Sequence, residues 1–270
     1  MEKMEEKISA KEERKTWWQN KIVEYGFEDI SSVKIDKKPT SGFEFFFIAN
    51  KDGKKAFIKC GKGDFYAKKE YEIYKILHAI EPKHFPDAIM FELLEDNKMF
   101  LAMDYIDGIT LNKINFKEVQ DEYLNKAFES LYNIGQTLYE KKYIHRDFHC
   151  ENLIVESDGN IKCIDFQHLL GEGFPESDEN IKNPKNLRGT NKKLRPAPYV
   201  WDDMFSIWKI MQRFPKNRIE DYDVKISDIK SKVGKLCYYF MDNKFSLKTY
   251  KNMKILVVYK IINLLCKPFR

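Results

Sequence analysis

The chain has 270 residues, 43% apolar and 33% charged, with a formal net charge of +5. This suits one large domain or two lobes, and no repeat or low-complexity segment appears. The longest apolar run, ILVVYKIINLLC, is broken by Lys260 and falls short of the roughly 20 residues a spanning helix requires, so a membrane-crossing chain is excluded. The mild positive balance fits an anionic partner such as a nucleotide, a phosphoglycan or a membrane surface. The five cysteines form no CxxC pair, and MEKMEEKISAKEERK has no apolar core, so the chain reads as a reduced, cytosolic protein without a signal peptide.

In chain order, residues 1–20 carry Glu and Lys at helical spacing and end in Trp17 and Trp18, a surface helix with one sticky end. SSVKI and FEFFFIAN read as strands, with DKKPTSG as the turn between them. NKDGKK is a hairpin signal, because Asp-Gly tolerates positive φ, and AFIKC follows as a third strand. DFYAKKEYEIYKILHAI has helical period, with Tyr66, Tyr71, Tyr74, Leu77 and Ile80 along one side. AIMFELLEDNKMFLAMDYI reads as strand, turn, strand. The first 106 residues thus form a small sheet with one main helix.

Beyond a linker near 104–110 the character changes. FKEVQDEYLNKAFESLYNIGQTLYEKK is a long amphipathic helix. YIHRDFHCENLIV then holds His145, Asp147 and Asn152 between two apolar runs, followed by the strands LIVE and IKCIDF around the turn SDGN. Residues 169–198 are rich in Gly, Pro, Asn and Asp and read as a long irregular loop, and the remainder reads as helical.

A hairpin brings its ends together, so Asp147, Asn152 and Asp165 can face one point. Carboxylate and amide oxygens suit a hard cation such as Mg²⁺, which takes one or two carboxylates together with substrate phosphates. Lys59 stands on the third strand with a glutamate on the next helix, and a lysine fixed by a buried carboxylate is a ready phosphate clamp. Together these are the parts of phosphoryl transfer.

Over roughly residues 33–212 the chain resembles the protein-kinase-like superfamily. The catalytic-loop pattern H-R-D-x-x-x-x-N is His145-Arg146-Asp147 through Asn152, the metal motif is Asp165-Phe166-Gln167, and the strand lysine is Lys59. Met103-Asp104-Tyr105-Ile106 resembles the hinge, and the run from Asp203 resembles the helix that braces the catalytic loop. The resemblance implies an α+β, bilobal protein-kinase-like fold, with a small mostly-β N-lobe carrying one main helix and a larger mostly-α C-lobe. Residues 1–32 read as an N-terminal helical extension, 33–106 as the N-lobe and 107–270 as the C-lobe.

The same resemblance implies ATP and Mg²⁺ as cofactors. Asp147 would orient the acceptor hydroxyl and take its proton, and Asn152 and Asp165 would hold Mg²⁺. Lys59 would grip the α- and β-phosphates, paired with Glu70; Glu72 is the alternative partner. Backbone groups of Asp104 and Ile106 would meet the adenine edge, Ile154 would floor it, and Gly42 with Ser41 would cover the phosphates. His145 reads as a packing residue under the loop. Arg146 could bind a phosphorylated Ser177 or Thr190, and Arg188 and Arg195 could bind an anionic acceptor.

The pattern departs from the family in several places. The Gly-rich loop offers only Gly42, Gln167 replaces the glycine after Asp-Phe, Phe57 replaces a small adenine-roof residue, and RPAPYVWDD has no clear APE motif. His149 stands where serine/threonine kinases carry a lysine. In these respects the chain is closest in character to bacterial lipopolysaccharide core kinases, which phosphorylate Kdo or heptose. The expected function is ATP-dependent transfer to a hydroxyl of a sugar in lipopolysaccharide or another bacterial glycan. A serine/threonine protein kinase and a pseudokinase nucleotide-binding module are the alternatives. The expected partner is a small-molecule or lipid-linked glycan acceptor, not nucleic acid. Residues 243–270 carry seven basic and no acidic side chains, with Lys260, Asn263 and Lys267 on one helical face. That tail would bring peripheral contact with anionic lipid at the inner face of the membrane.

Overall fold

The computed structural model describes residues 2–34, 42–62, 65–174, 194–196, 200–241 and 244–248. The chain divides into two compact units: Met1–Leu77 with Pro86–Ile106, and His78–Phe85 with Asp107–Arg270.

The first unit is built on a five-stranded sheet in the order β1-β2-β3-β5-β4. Its strands are β1 (Glu28–Ser32), β2 (Phe43–Lys51), β3 (Lys54–Lys62), β4 (Ala88–Leu93) and β5 (Lys98–Asp104). The Asp-Gly turn forms as expected: Asp52 and Gly53 both adopt positive φ, and β2 pairs antiparallel with β3. Both faces of β2 are covered, which is why FEFFFIAN is almost continuously apolar rather than alternating. Phe45 and Phe47 pack with Trp18 and Ile22 of α1 (Glu2–Glu24), with Phe27 and with Phe100. Phe43 and Phe46 lie on the other face with Ala67 of α2 (Phe65–Ile80), Met99 and Leu101. A fully buried Phe contributes roughly 1.5–3 kcal/mol of transfer free energy, so each face is a substantial core.

Of residues 1–32, read as an N-terminal helical extension, α1 covers one face of the sheet and β1 extends its edge. The strand read as SSVKI begins earlier, at Glu28, and the register slips between Glu28 and Ser31 where Asp29 takes a positive φ. That left-handed residue breaks the alternation on which the reading relied.

The second unit contains α3 (Asp121–Glu140), α4 (Asp203–Met211) and α5 (Tyr222–Lys232). Leu124, Phe128, Leu131, Ile134 and Leu138 form the buried stripe of α3. Gly135 lets α4 approach, since a Cβ there would lie 2.9 Å from Ile207 Cδ1. A short sheet, β6 (Gly108–Thr110), β7 (Leu153–Glu156) and β8 (Ile161–Cys163), carries the catalytic-loop sequence at its ends. The region after residue 198 is not wholly helical. β9 (Val200–Trp201), β10 (Cys237–Met241) and β11 (Lys244–Lys248) form a third antiparallel sheet. CYYFM and KFSLK flank Asp-Asn in the sequence, a hairpin signal that the helical reading passed over. Among the described residues no helix is long and apolar enough to cross a membrane. Most of the 169–198 loop and the basic tail beyond Lys248 lie outside the described residues, as do Ser41, Ser177, Arg188 and Thr190.

Candidate active site

In the first unit, strand alternation assigns Lys59. Ala56, Ile58 and Cys60 of β3 belong to the α1 face, which leaves Phe57 and Lys59 toward α2. Lys59 Nζ donates to Glu70 Oε1 at 2.7 Å, from a side chain 12% exposed to one fully buried. The ammonium also lies 5.3 Å from the centroid of Phe43. A buried carboxylate is tolerated only when a cation and hydrogen bonds answer it, so the pair fixes the ammonium in place. Glu72, the alternative partner, sits instead at the surface, 3.9 Å from Lys68.

Gly42 adopts φ +78°, and its carbonyl accepts from Lys62 N–H at 3.1 Å. A Cβ on Gly61 would lie 2.1 Å from Gly42 O, so the backbone ahead of β2 crosses β3 at a distance that only glycine permits. Asp104 N–H donates to Asp87 O at 2.9 Å, and its carboxylate accepts from Asp87 N–H at 2.9 Å. The Asp104 side chain thus ties β5 to the start of β4. Ile106 follows at the end of this unit and is buried.

In the second unit the catalytic-loop sequence folds around its own polar groups. His145 is fully buried; its Nε2–H donates to Ile164 O at 2.9 Å and its Nδ1 accepts from Asp147 N–H at 3.3 Å. Burial holds its pKa below the ordinary histidine value, and both bonds suit that neutral tautomer. Asp203, at the start of α4, accepts the backbone N–H groups of His145 and Arg146. Asn152 Nδ2 donates to Asp147 O at 2.9 Å, and Asn152 O accepts from Ile164 N–H at 3.0 Å. These bonds bring Asp147, Asn152 and the strand leading to Asp165 into one local assembly. Asp165 itself takes a left-handed conformation, φ 69° and ψ 60°. That conformation costs a non-glycine residue about 1–3 kcal/mol. Ile154 lies on β7 next to Gly108, where a Cβ would meet Ile154 Cγ2 at 2.8 Å.

Electrostatics separate the aspartates. Burial pushes the Asp203 carboxyl up to about 7, against the pull of the His145 and Arg146 N–H donors. Burial would also raise Asp147, but the His149 imidazole, with Nε2 3.5 Å from Oδ2, outweighs it and holds Asp147 below the usual carboxylate range. His149 is raised by the same contact, against its own burial. Its Nδ1 accepts from Glu151 N–H at 3.2 Å, which orients the ring.

Gln167 lies in a 3-10 turn, Phe166–His168, and is not among the residues with positive φ, so the glycine's conformational freedom is not needed at this position. Its Oε1 is buried and has no hydrogen-bond donor among the described residues. Arg146 is buried; its Nη2 lies 3.0 Å from His168 Nδ1 and its guanidinium 5.5 Å from the centroid of Trp201. The sequence reading did not find this packing. Trp201 directly before the Asp202-Asp203 pair was the available signal.

The groups that the resemblance implies are Mg²⁺ and a nucleotide. Asn152 spends its amide N–H on the Asp147 carbonyl, so the end it can offer a cation is Oδ1, and Asp165 supplies a carboxylate. No group of three or more His, Cys, Asp or Glu side chains among the described residues could hold a metal ion by itself. Two hard oxygen donors completed by phosphate oxygens are what Mg²⁺ accepts. The Lys59–Glu70 pair and the glycine-only approach of Gly42 to β3 fit a phosphate group. The residues present therefore fit both.

A family profile described as "ABC1 atypical kinase-like domain" matches residues 94–170. Serine/threonine-protein kinase CLA4 of Candida albicans is 31% identical over 172 residues, covering 59% of this chain and 17% of that protein. The probable serine/threonine-protein kinase mkcF of Dictyostelium discoideum is 33% identical over 106 residues, covering 33% of this chain and 15% of its own. The chain thus spans less than a fifth of the length of these curated relatives. Among solved structures, the Cydia pomonella granulovirus kinase PK-1 matches with a TM-score of 0.50 and 15% identity, over 73% of this chain and 74% of that one. The fold is protein-kinase-like.

Proposed function

We propose that the protein transfers the γ-phosphoryl group of ATP to an alcohol, and that the alcohol belongs to a sugar of lipopolysaccharide or another bacterial glycan. The observation that carries the phosphotransferase reading is the 2.7 Å bond between Lys59 and the fully buried Glu70. A fixed ammonium of this kind serves to grip the α- and β-phosphates. Bound Mg²⁺ would supply charge neutralisation at the transferring phosphate, with Asn152 and Asp165 as its protein ligands. Asp147, ionised at neutral pH, would orient the acceptor hydroxyl and accept its proton. Asp104 and Ile106 would offer backbone groups to the adenine, Ile154 its apolar side chain, and Gly42 its backbone to the phosphates.

The glycan reading rests on His149 beside Asp147 and on the bulky Phe57. A second reading, transfer to serine or threonine of a protein, is favoured by the named relatives. Peripheral contact of the basic tail with anionic lipid belongs to the first reading. Incubation with γ-labelled ATP, Mg²⁺, a panel of lipid-linked and free core sugars and a generic peptide separates the two. Label in a sugar with none in peptide is expected. Label in the peptide alone would establish the second reading, and label in nothing, with ATP still bound, would point to a nucleotide-binding module.

A further inference from the structure

A cavity of about 570 Å³ opens in the second unit, lined by Ile114, Phe116 and Lys117 on one side and by Arg213, Pro215 and Arg218 on the other. Its lining carries three cationic side chains and no acidic one. Phe116 in its lining stacks on Phe214, with ring centroids 4.4 Å apart. Arg218 is a strut rather than a ligand: its guanidinium bonds Asp121 Oδ1, Phe116 O and Val119 O. It holds Phe116 and Lys117 in place.

Lys117 and Arg213 are different. Neither has a carboxylate within ion-pair distance among the described residues. Arg213 Nη1 donates to Cys150 Sγ at 2.8 Å. The cavity is thereby tied to the catalytic-loop segment: Cys150 is three residues from Asp147. The turn Leu111–Lys113, directly before the cavity wall, also packs against the turn Cys150–Asn152.

We infer that this cavity receives an oxyanion carried by the acceptor, with Lys117 and Arg213 as its ligands. The acceptor class is then a phosphate- or carboxylate-bearing sugar rather than a neutral one. A guanidinium suits this role because its fork of N–H donors matches an oxyanion. The inference rests on the phosphotransferase reading for the word acceptor, but its test does not require turnover.

Hexose 6-phosphate, a hexuronate and the free hexose are titrated calorimetrically into the full chain and into Lys117→Gln/Arg213→Gln. Saturable binding of at least one anionic probe and none of the hexose is expected, with the double variant binding about tenfold or more weaker. The phosphate and hexuronate arms distinguish the two oxyanion sources. MgATP is titrated in parallel and should bind both proteins alike, which also shows that the variant is folded. Equal affinity of the anionic probes for both proteins, or no saturable binding of either, overturns the cavity assignment. Failure of MgATP to bind the wild-type chain would instead sink the phosphotransferase reading and leave the anion result standing by itself.

Discussion

The two units each bury charge, and they do so by different means. In the first, Lys59 and Glu70 sit on regular elements, a strand and a helix, and answer each other directly. In the second, Asp147, Asn152 and Asp165 sit on irregular backbone. Arg146 and Asp165 take left-handed φ, and the network is closed largely by backbone N–H and C=O groups. The difference teaches where each kind of precision comes from. A phosphate clamp needs one charge at one place, which strand alternation and helix period deliver. A group that must accept a proton beside a metal ligand needs several atoms aimed together, and loops held by buried hydrogen bonds deliver that.

The comparison can be broken most sharply at Asp147. Asp147→Ala should lower phosphoryl transfer by about a hundred- to ten-thousandfold while MgATP binding persists, since it removes the proposed base and not the proposed clamp. Steady-state transfer and equilibrium ATP titration, run side by side, check this; loss of ATP affinity in the same variant would erase the division of labour.

Next comes the pair itself. Lys59→Met leaves Glu70 buried without its cation and should cost about 3–5 kcal/mol of stability, read from urea denaturation, together with weaker ATP binding. Lys59→Met/Glu70→Gln should recover most of that stability without recovering the nucleotide affinity.

Asp203 gives a pH test confined to the second unit. Its folded pKa of about 7 lies above the unfolded value of about 4, so the folded chain holds the proton more tightly. The resulting stability is complete below the unfolded pKa and is lost as pH rises through about 7. Denaturation from about pH 5 to about pH 8 should show this decline, and Asp203→Asn should flatten it.

The smallest effect is expected at Gly61. Gly61→Ala places a methyl against Gly42 O and should cost about 1–3 kcal/mol while raising the KM for ATP. An unchanged KM would mean that the backbone before β2 has no part in holding phosphate.

Much of this was legible because short-range rules govern it. The Asp-Gly turn, the α2 period that carries Glu70 and the distance from His145 to Asn152 are local features, and each elementary reading located its element. Other features depend on tertiary surroundings. Both faces of β2 are covered because α1 returns to the sheet, and no local pattern distinguishes a solvated charged helix from one whose Trp18 and Ile22 are buried. Asp29 shifts β1 through a single backbone angle. The Arg146–Trp201 packing joins residues 55 positions apart, and the Arg213–Cys150 contact joins residues 63 apart. Gln167 reads as a defect beside the family pattern, yet its 3-10 backbone does not require the glycine it replaces.

The position of α1 has a practical consequence for anyone trimming the chain. Trp18, Ile22 and Phe27 roof the sheet surface formed by Phe45, Phe47 and Phe100. A shortened version starting at β2 would present those rings to water as a broad adhesive plane, and such planes drive chains into aggregates. Design of a minimal catalytic fragment should therefore begin upstream of Trp17.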